Sequence, residues 1–146
     1  MSFAIRSDMT IEEFRAKYAT VRLTEDEIRK FYDDEIASAK FAEEIGTVPC
    51  PDWCTDEPGH GYDTIDHEER TAGRYHTYRP RAGSDAWLHQ YEERRGDEIT
   101  YEPLGIICDV RQGDDIEMSR ALELAADLVM VAKVLTEIQS APVATK

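Results

Sequence analysis

In Cys50-Pro51-Asp52-Trp53-Cys54 two thiols stand four positions apart, and His60 and His67 follow within thirteen residues of the second. Thiolate sulfur and imidazole nitrogen are the donors that structural zinc sites gather in closed tetrahedral sets of four. A C-x3-C spacing lets one tight turn present both sulfurs to one ion, and Pro49 and Pro51 stiffen that turn by fixing φ. Gly59 and Gly61 flank His60 and let the backbone wrap the ion. The expected site is therefore a structural zinc held by Cys50, Cys54, His60 and His67, with His76 in reserve. Asp52, Asp56 and Asp66 are the expected acceptors for the second ring nitrogens of the imidazoles. Trp53 is expected to pack the metal turn onto a core. Cys108, within Ile106-Ile107-Cys108, reads as a buried strand thiol behaving as a small hydrophobe.

Catalytic signatures are thin by comparison. His67-Glu68-Glu69 opens like a metalloprotease helix, but no histidine stands four residues on. Gly59-His60-Gly61 lacks the third glycine of a dinucleotide-binding turn, and no nucleophile elbow is present. A zinc-dependent hydrolase is a secondary alternative, with Glu57, Glu68 or Glu69 as base on a bound water. Four protein ligands would leave that water no position.

Charge narrows the classes further. The chain of 146 residues has a net charge of −14, and Asp52 to Glu69 holds acids with no Lys or Arg. Phosphate backbones select basic surfaces, so direct nucleic-acid binding is disfavoured. The converse, an acidic mimic of nucleic acid that occupies a DNA-binding protein, is an alternative, with residues 24–45 and 52–69 as its candidate face. Solubility is the simpler account of the acid. No apolar run approaches the roughly 20 residues a membrane span needs, and the N-terminus lacks a secretory core. A cytoplasmic setting is expected, where three cysteines serve as thiols or ligands rather than disulfides.

The elements that must position the cluster are legible in outline. Thr10 with Glu13 and Thr24 with Glu27 each fit a capping box, which predicts two N-terminal helices. Ile28, Phe31, Tyr32, Ile36 and Ala39 mark the apolar face of the second, and Gly46 stops it. Residues 47–73 lack helical or alternating periodicity, and so long a loop calls for an internal tie. Arg74–Pro80, Ala86–Glu93, Ile99–Tyr101 and Leu104–Val110 then read as an antiparallel meander broken at Gly83-Ser84, Arg95-Gly96-Asp97 and Gln112-Gly113-Asp114. Tyr75, Tyr78, Trp87 and Tyr91 belong to sheet packing. A final helix is predicted from about Met118 to Ile138. Its stripe of Leu124, Leu128, Val131 and Leu135 faces the sheet, and Ala121, Ala125 and Ala132 are expected to allow close approach. The resulting fold class is α+β: an acidic helical extension over 1–47, a zinc-knuckle domain over 48–139 and a disordered tail over 140–146.

From Cys50 to about Ile138 the chain resembles an uncharacterised family of small actinobacterial and actinophage proteins. The resemblance rests on Cys50-Pro51-Asp52-Trp53-Cys54, on His60 and His67, and on Ala121-Leu122-Glu123-Leu124-Ala125-Ala126-Asp127-Leu128. Ile116-Glu117-Met118 depart from it, standing where that family has Leu-Thr-Pro. It implies a shared domain and an actinobacterial or phage setting, and no activity. The expected function is a non-enzymatic, zinc-binding interaction or regulatory protein with a protein partner.

Overall fold

The computed structural model describes residues 6–110 and 116–141. Among them are helices α1 (Ile11–Lys17), α2 (Glu25–Ile45) and α3 (Met118–Ser140). The strands are β1 (Thr64–Asp66), β2 (Thr71–Tyr78), β3 (Ala86–Arg95), β4 (Glu98–Tyr101) and β5 (Gly105–Cys108). The class is α+β, as expected. The strands form one antiparallel sheet in the order β1-β2-β3-β4, with β5 also paired to β3. The predicted turn at Gln112-Gly113-Asp114 and most of the predicted tail lie outside the described residues.

Both capping boxes form. Thr10 and Thr24 accept the amides of Glu13 and Glu27, whose carboxylates accept the amides of the two threonines in return. Each such pair satisfies two of the free donors at a helix start. Phe14 of α1 is buried, with its ring edge-on to Tyr32 of α2. The pair is therefore a hairpin closed by aromatic packing. Of the predicted α2 face, Ile36 is buried whereas Phe31 is 47% exposed. At the far end of α2, Arg94 of β3 donates to the carbonyl of Ile45 at 2.6 Å. That bond satisfies a terminal helix carbonyl and seats the hairpin on the sheet.

β3 carries β4 and β5 along the same edge, one after the other. Its residues 92–95 pair with β4 and its residues 86–89 with β5. The break falls at Glu102-Pro103-Leu104, because proline has no amide to give to a ladder. Gln90 spans the break by donating to the carbonyl of Glu102 at 2.9 Å. Cys108, expected to be buried, is exposed. It ends β5, whose one strand neighbour among the described residues is β3.

Beyond β1, the outer edge of β2 is closed by loop side chains. The amides of Tyr75, Thr77 and Arg79 donate to Asp63, Asp56 and Thr55 respectively. β1 itself lies inside the stretch expected to be pure loop; three residues are too few to show a period of two. On one sheet face Gly73 is crossed by the Tyr91 ring, whose hydroxyl bonds Thr64 at 3.1 Å. A methyl at position 73 would clash with that ring. Gly73→Ala is therefore expected to cost about 1–3 kcal/mol through the displaced tyrosine. Thermal melting of the variant measures it, and an unchanged midpoint would contradict the packing.

α3 lies against β3 and is tied to the β2–β3 turn by polar contacts. Asp127, 5% exposed, accepts from Ser84 at 2.7 Å and pairs with Arg81 at 3.0 Å. Arg120 pairs with Asp85 at 2.9 Å. Val131 is fully buried, and Leu124, Leu128 and Leu135 are half-buried on the same side. Ala121, Ala125 and Ala132 are instead exposed. At about 100° per residue they fall far round the helix from Asp127 and Val131, so they leave room for something other than the sheet.

Candidate metal centre

The loop between α2 and β1 folds back over one face of β2 and β3. A turn closes Cys54 N–H onto the carbonyl of Pro51 at 2.9 Å, and a second closes His60 N–H onto Glu57 at 3.0 Å. These two turns bring Cys50, Cys54 and His60 together. The fourth member comes from the sheet: His76 on β2 points its ring into the same space. One ligand atom from each of Cys50, Cys54, His60 and His76 lies within 4.8 Å of the other three. Cys54 Sγ and His60 Nε2 are 3.9 Å apart, close to the about 3.6 Å edge of a tetrahedron whose bonds are 2.0–2.3 Å. This group could hold a metal ion.

His67, expected among the ligands, does not join the cluster. It sits in the β1–β2 turn, where its Nδ1 shares a hydrogen bond with Ser38 of α2 at 3.2 Å and lies 3.8 Å from Asp34. The physical reason is β1. Once Thr64–Asp66 pairs with Thr71–Gly73, the chain runs away from Cys54, and His67 is carried to the helix side of the hairpin. His76 is the sixth residue of the returning strand and comes back over the loop.

The chemistry beneath the cluster argues for a cation. Arg74, His76 and Glu92 are each 0% exposed and lie on one sheet face, with Arg74 directly opposite Glu92 in the ladder. Glu92 receives Arg74 through two bonds of 3.1 Å and meets His76 Nε2 at 2.8 Å. Arg74 also donates to the carbonyls of His60 and Val48, both at 2.8 Å, which anchors the loop at two points. Because Nε2 is engaged by Glu92, Nδ1 is the ring atom left toward the thiols. It is buried with no hydrogen-bond partner. A buried, unpartnered imidazole nitrogen costs on the order of 1–3 kcal/mol. A metal removes that cost, and a carboxylate on the opposite nitrogen is how ligating histidines are oriented. Glu92 fills the role expected of Asp52, Asp56 or Asp66. Asp56 binds the backbone and hydroxyl of Thr77, and Asp66 caps the amide of Glu69.

Electrostatics around the thiols point the same way. Burial pushes the Cys54 thiol above its ordinary value, and the neighbouring Asp56 and Cys50 add to the effect against hydrogen bonds that oppose it. Without a cation the sulfur is held as a neutral thiol; binding a divalent ion reverses that preference and releases the proton. Glu92 is held below the usual carboxylate value: burial, the largest single influence, raises it, and the hydrogen bonds and charges of Arg74 and His76 together outweigh that. Trp53 meets the His76 ring edge-on at 6.2 Å, so it does pack the turn onto the sheet.

The buried triad was the part sequence reasoning missed. Its signal was the alternation of Arg74 with His76 and of Glu92 with Arg94, charged residues two apart inside strands. That pattern reads as a solvated face until the loop is known to cover it. No family model matches the chain, and no curated protein or solved structure does either.

Proposed function

We propose that this chain is a non-enzymatic zinc protein whose ion, held by Cys50, Cys54, His60 and His76, fixes the 46–63 loop on the sheet for recognition of another protein. The observation that carries the reading is His76, fully buried, with Glu92 on one nitrogen and the other left to a set of two thiols and an imidazole. Two sulfurs and two nitrogens suit zinc, and four protein donors leave no open position for a reacting water. That count favours structure over hydrolysis. A hollow of about 240 Å³ between α1 and α2, lined by Phe14, Tyr18, Val21, Leu23 and Phe31 together with Asp34 and Glu35, offers a protein partner a mostly apolar seat. The actinobacterial or phage setting is carried as part of the proposal.

Native mass spectrometry of protein purified without chelator is expected to find one zinc per chain. Cys54→Ser and His76→Ala should lose it, and His67→Ala should keep it. Cobalt in place of zinc is expected to give a tetrahedral absorption spectrum unmoved by added anions; a spectrum that shifts with anions would reveal an exchangeable position and favour the hydrolase. A second reading, the acidic nucleic-acid mimic, draws on an open cleft of about 650 Å³ whose lining includes Asp34, Glu35, Glu43 and Asp63. Salt-sensitive capture of DNA-binding proteins would favour it.

A further inference from the structure

α3 presents to solvent a side that repeats like a coiled-coil seam. Met118, Leu122, Ala125, Val129, Ala132 and Thr136 follow one another at steps of four, three, four, three and four, the heptad spacing that keeps one line of residues facing a partner helix. Met118 is 80% exposed, Leu122 66% and Val129 68%, and the alanines and Thr136 between them are exposed as well. The seam lies opposite Asp127 and Val131, the residues that bury α3 on the sheet. Helix formation therefore does not account for these apolar side chains, and neither does packing among the described residues.

We infer that the seam pairs with a second copy of itself, antiparallel, about a two-fold axis that passes beside Asp127. Three observations select this occupant. The first is shape. Antiparallel pairing sets Leu122 of one copy against Ala132 of the other, Ala125 against Val129, and Met118 against Thr136. Every layer then joins a large side chain to a small one, and each is matched by its symmetry mate, as an isologous interface requires. In-register parallel pairing stacks Leu122 on Leu122 and Ala125 on Ala125, and so alternates crowding with gaps.

The second is charge. The chain holds 31 acidic residues, yet the seam and its flanking positions 119, 121, 126, 128, 133 and 135 hold none and carry one base, Lys133. Within the helix Glu123 and Asp127 are turned away, both paired with Arg81 on the sheet side, and the remaining acids, Glu117 and Glu137, stand at the two ends of the seam. A strip cleared of acid in so acidic a chain is what an approach by an equally acidic copy needs. The third is area. Two-fifths of the circumference of a helix about 34 Å long and 10–12 Å across gives about 430–510 Å² per copy. The pair buries about 860–1,020 Å², the size of a weak, transient interface, so the dimer is a reversible one that forms at micromolar concentrations and above.

Sedimentation velocity on the full, metal-loaded chain with reductant, from low to high micromolar concentration, is expected to show a reversible monomer–dimer equilibrium. Added salt should strengthen it by screening two charges of −14. Leu122→Glu and Val129→Glu, both at exposed positions, should each weaken it at least 100-fold with unchanged melting temperature. A chain that stays monomeric throughout overturns the proposal, as does a dimer indifferent to both substitutions. In a Cys108→Ser background, mixed Ala125→Cys and Val129→Cys chains should cross-link to each other under mild oxidation. Preferential cross-linking of Ala125→Cys to itself would overturn the antiparallel geometry.

Discussion

Stripping the ion from the native protein with a chelator at pH 7 is expected to lower the melting temperature by at least about 10 °C and to abolish amide protection across residues 47–63. Structural zinc in finger peptides is worth about 10–16 kcal/mol in apparent binding energy at neutral pH, whereas a whole domain retains only about 5–15 kcal/mol. Even a third of that binding energy spent on folding therefore dominates the balance. For a chain of this size each kcal/mol moves the midpoint by about 3–4 °C. Polar ties are what otherwise hold the loop: Val48 and His60 hang from Arg74, Thr55 and Asp56 from the edge of β2, Asp63 from Gly73 and Tyr75, and Tyr62 from Arg94. Cys54→Ser should reproduce chelation, since it removes a sulfur and nothing larger. Differential scanning calorimetry with hydrogen exchange checks both. A chelated protein that melts with the native one would show that the cluster is four side chains sharing a space without an ion.

Glu92→Gln is the second large effect. The substitution keeps volume and removes the charge that serves Arg74 and His76 together, leaving a guanidinium at 0% exposure without a counter-ion. Removing one partner of a buried pair costs about 3–5 kcal/mol, because the survivor is stranded. Loosening the orienter of a ligating histidine weakens metal binding about 10–100-fold. Urea unfolding and competition with a chromophoric chelator read the two quantities separately. A loss under 1 kcal/mol would mean that water reaches Arg74.

The same carboxylate sets an acid limit. Its folded value lies below 4.5, so the folded state favours its ionised form. The stability it supplies is present in full above pH 4.5 and is lost as pH falls through the depressed folded value. Acid would also release an ion held by the cluster, since its donors must be deprotonated to bind it. Acid unfolding of the wild type, followed by circular dichroism, should therefore include a stage set by Glu92 that Glu92→Gln lacks.

Much of this was legible in the residues. Thr10 and Thr24 announced both N-terminal helices because a capping box is a local contract between neighbours in sequence. Cys50, Cys54 and His60 were readable for the same reason: one turn and one short loop bring them together. His76 and Glu92 were not, since what makes them partners is a ladder register linking positions sixteen apart. Choosing His67 over His76 followed proximity in sequence; the strand pairing of Thr64–Asp66 overrode it. The alanines of α3 were misassigned because small residues at helical spacing specify close approach without naming the neighbour.

The three side-chain acceptors along the margin of β2 have a consequence for how this molecule fails. Asp63, Asp56 and Thr55 occupy amides that would otherwise wait for another strand, and all three belong to the loop that the proposed ion would hold in place. When that segment lets go, the bared strand becomes a template for its twin in another molecule. Demetallation then carries a hazard beyond lost stability, since what is released can seed aggregates from which the native chain does not return.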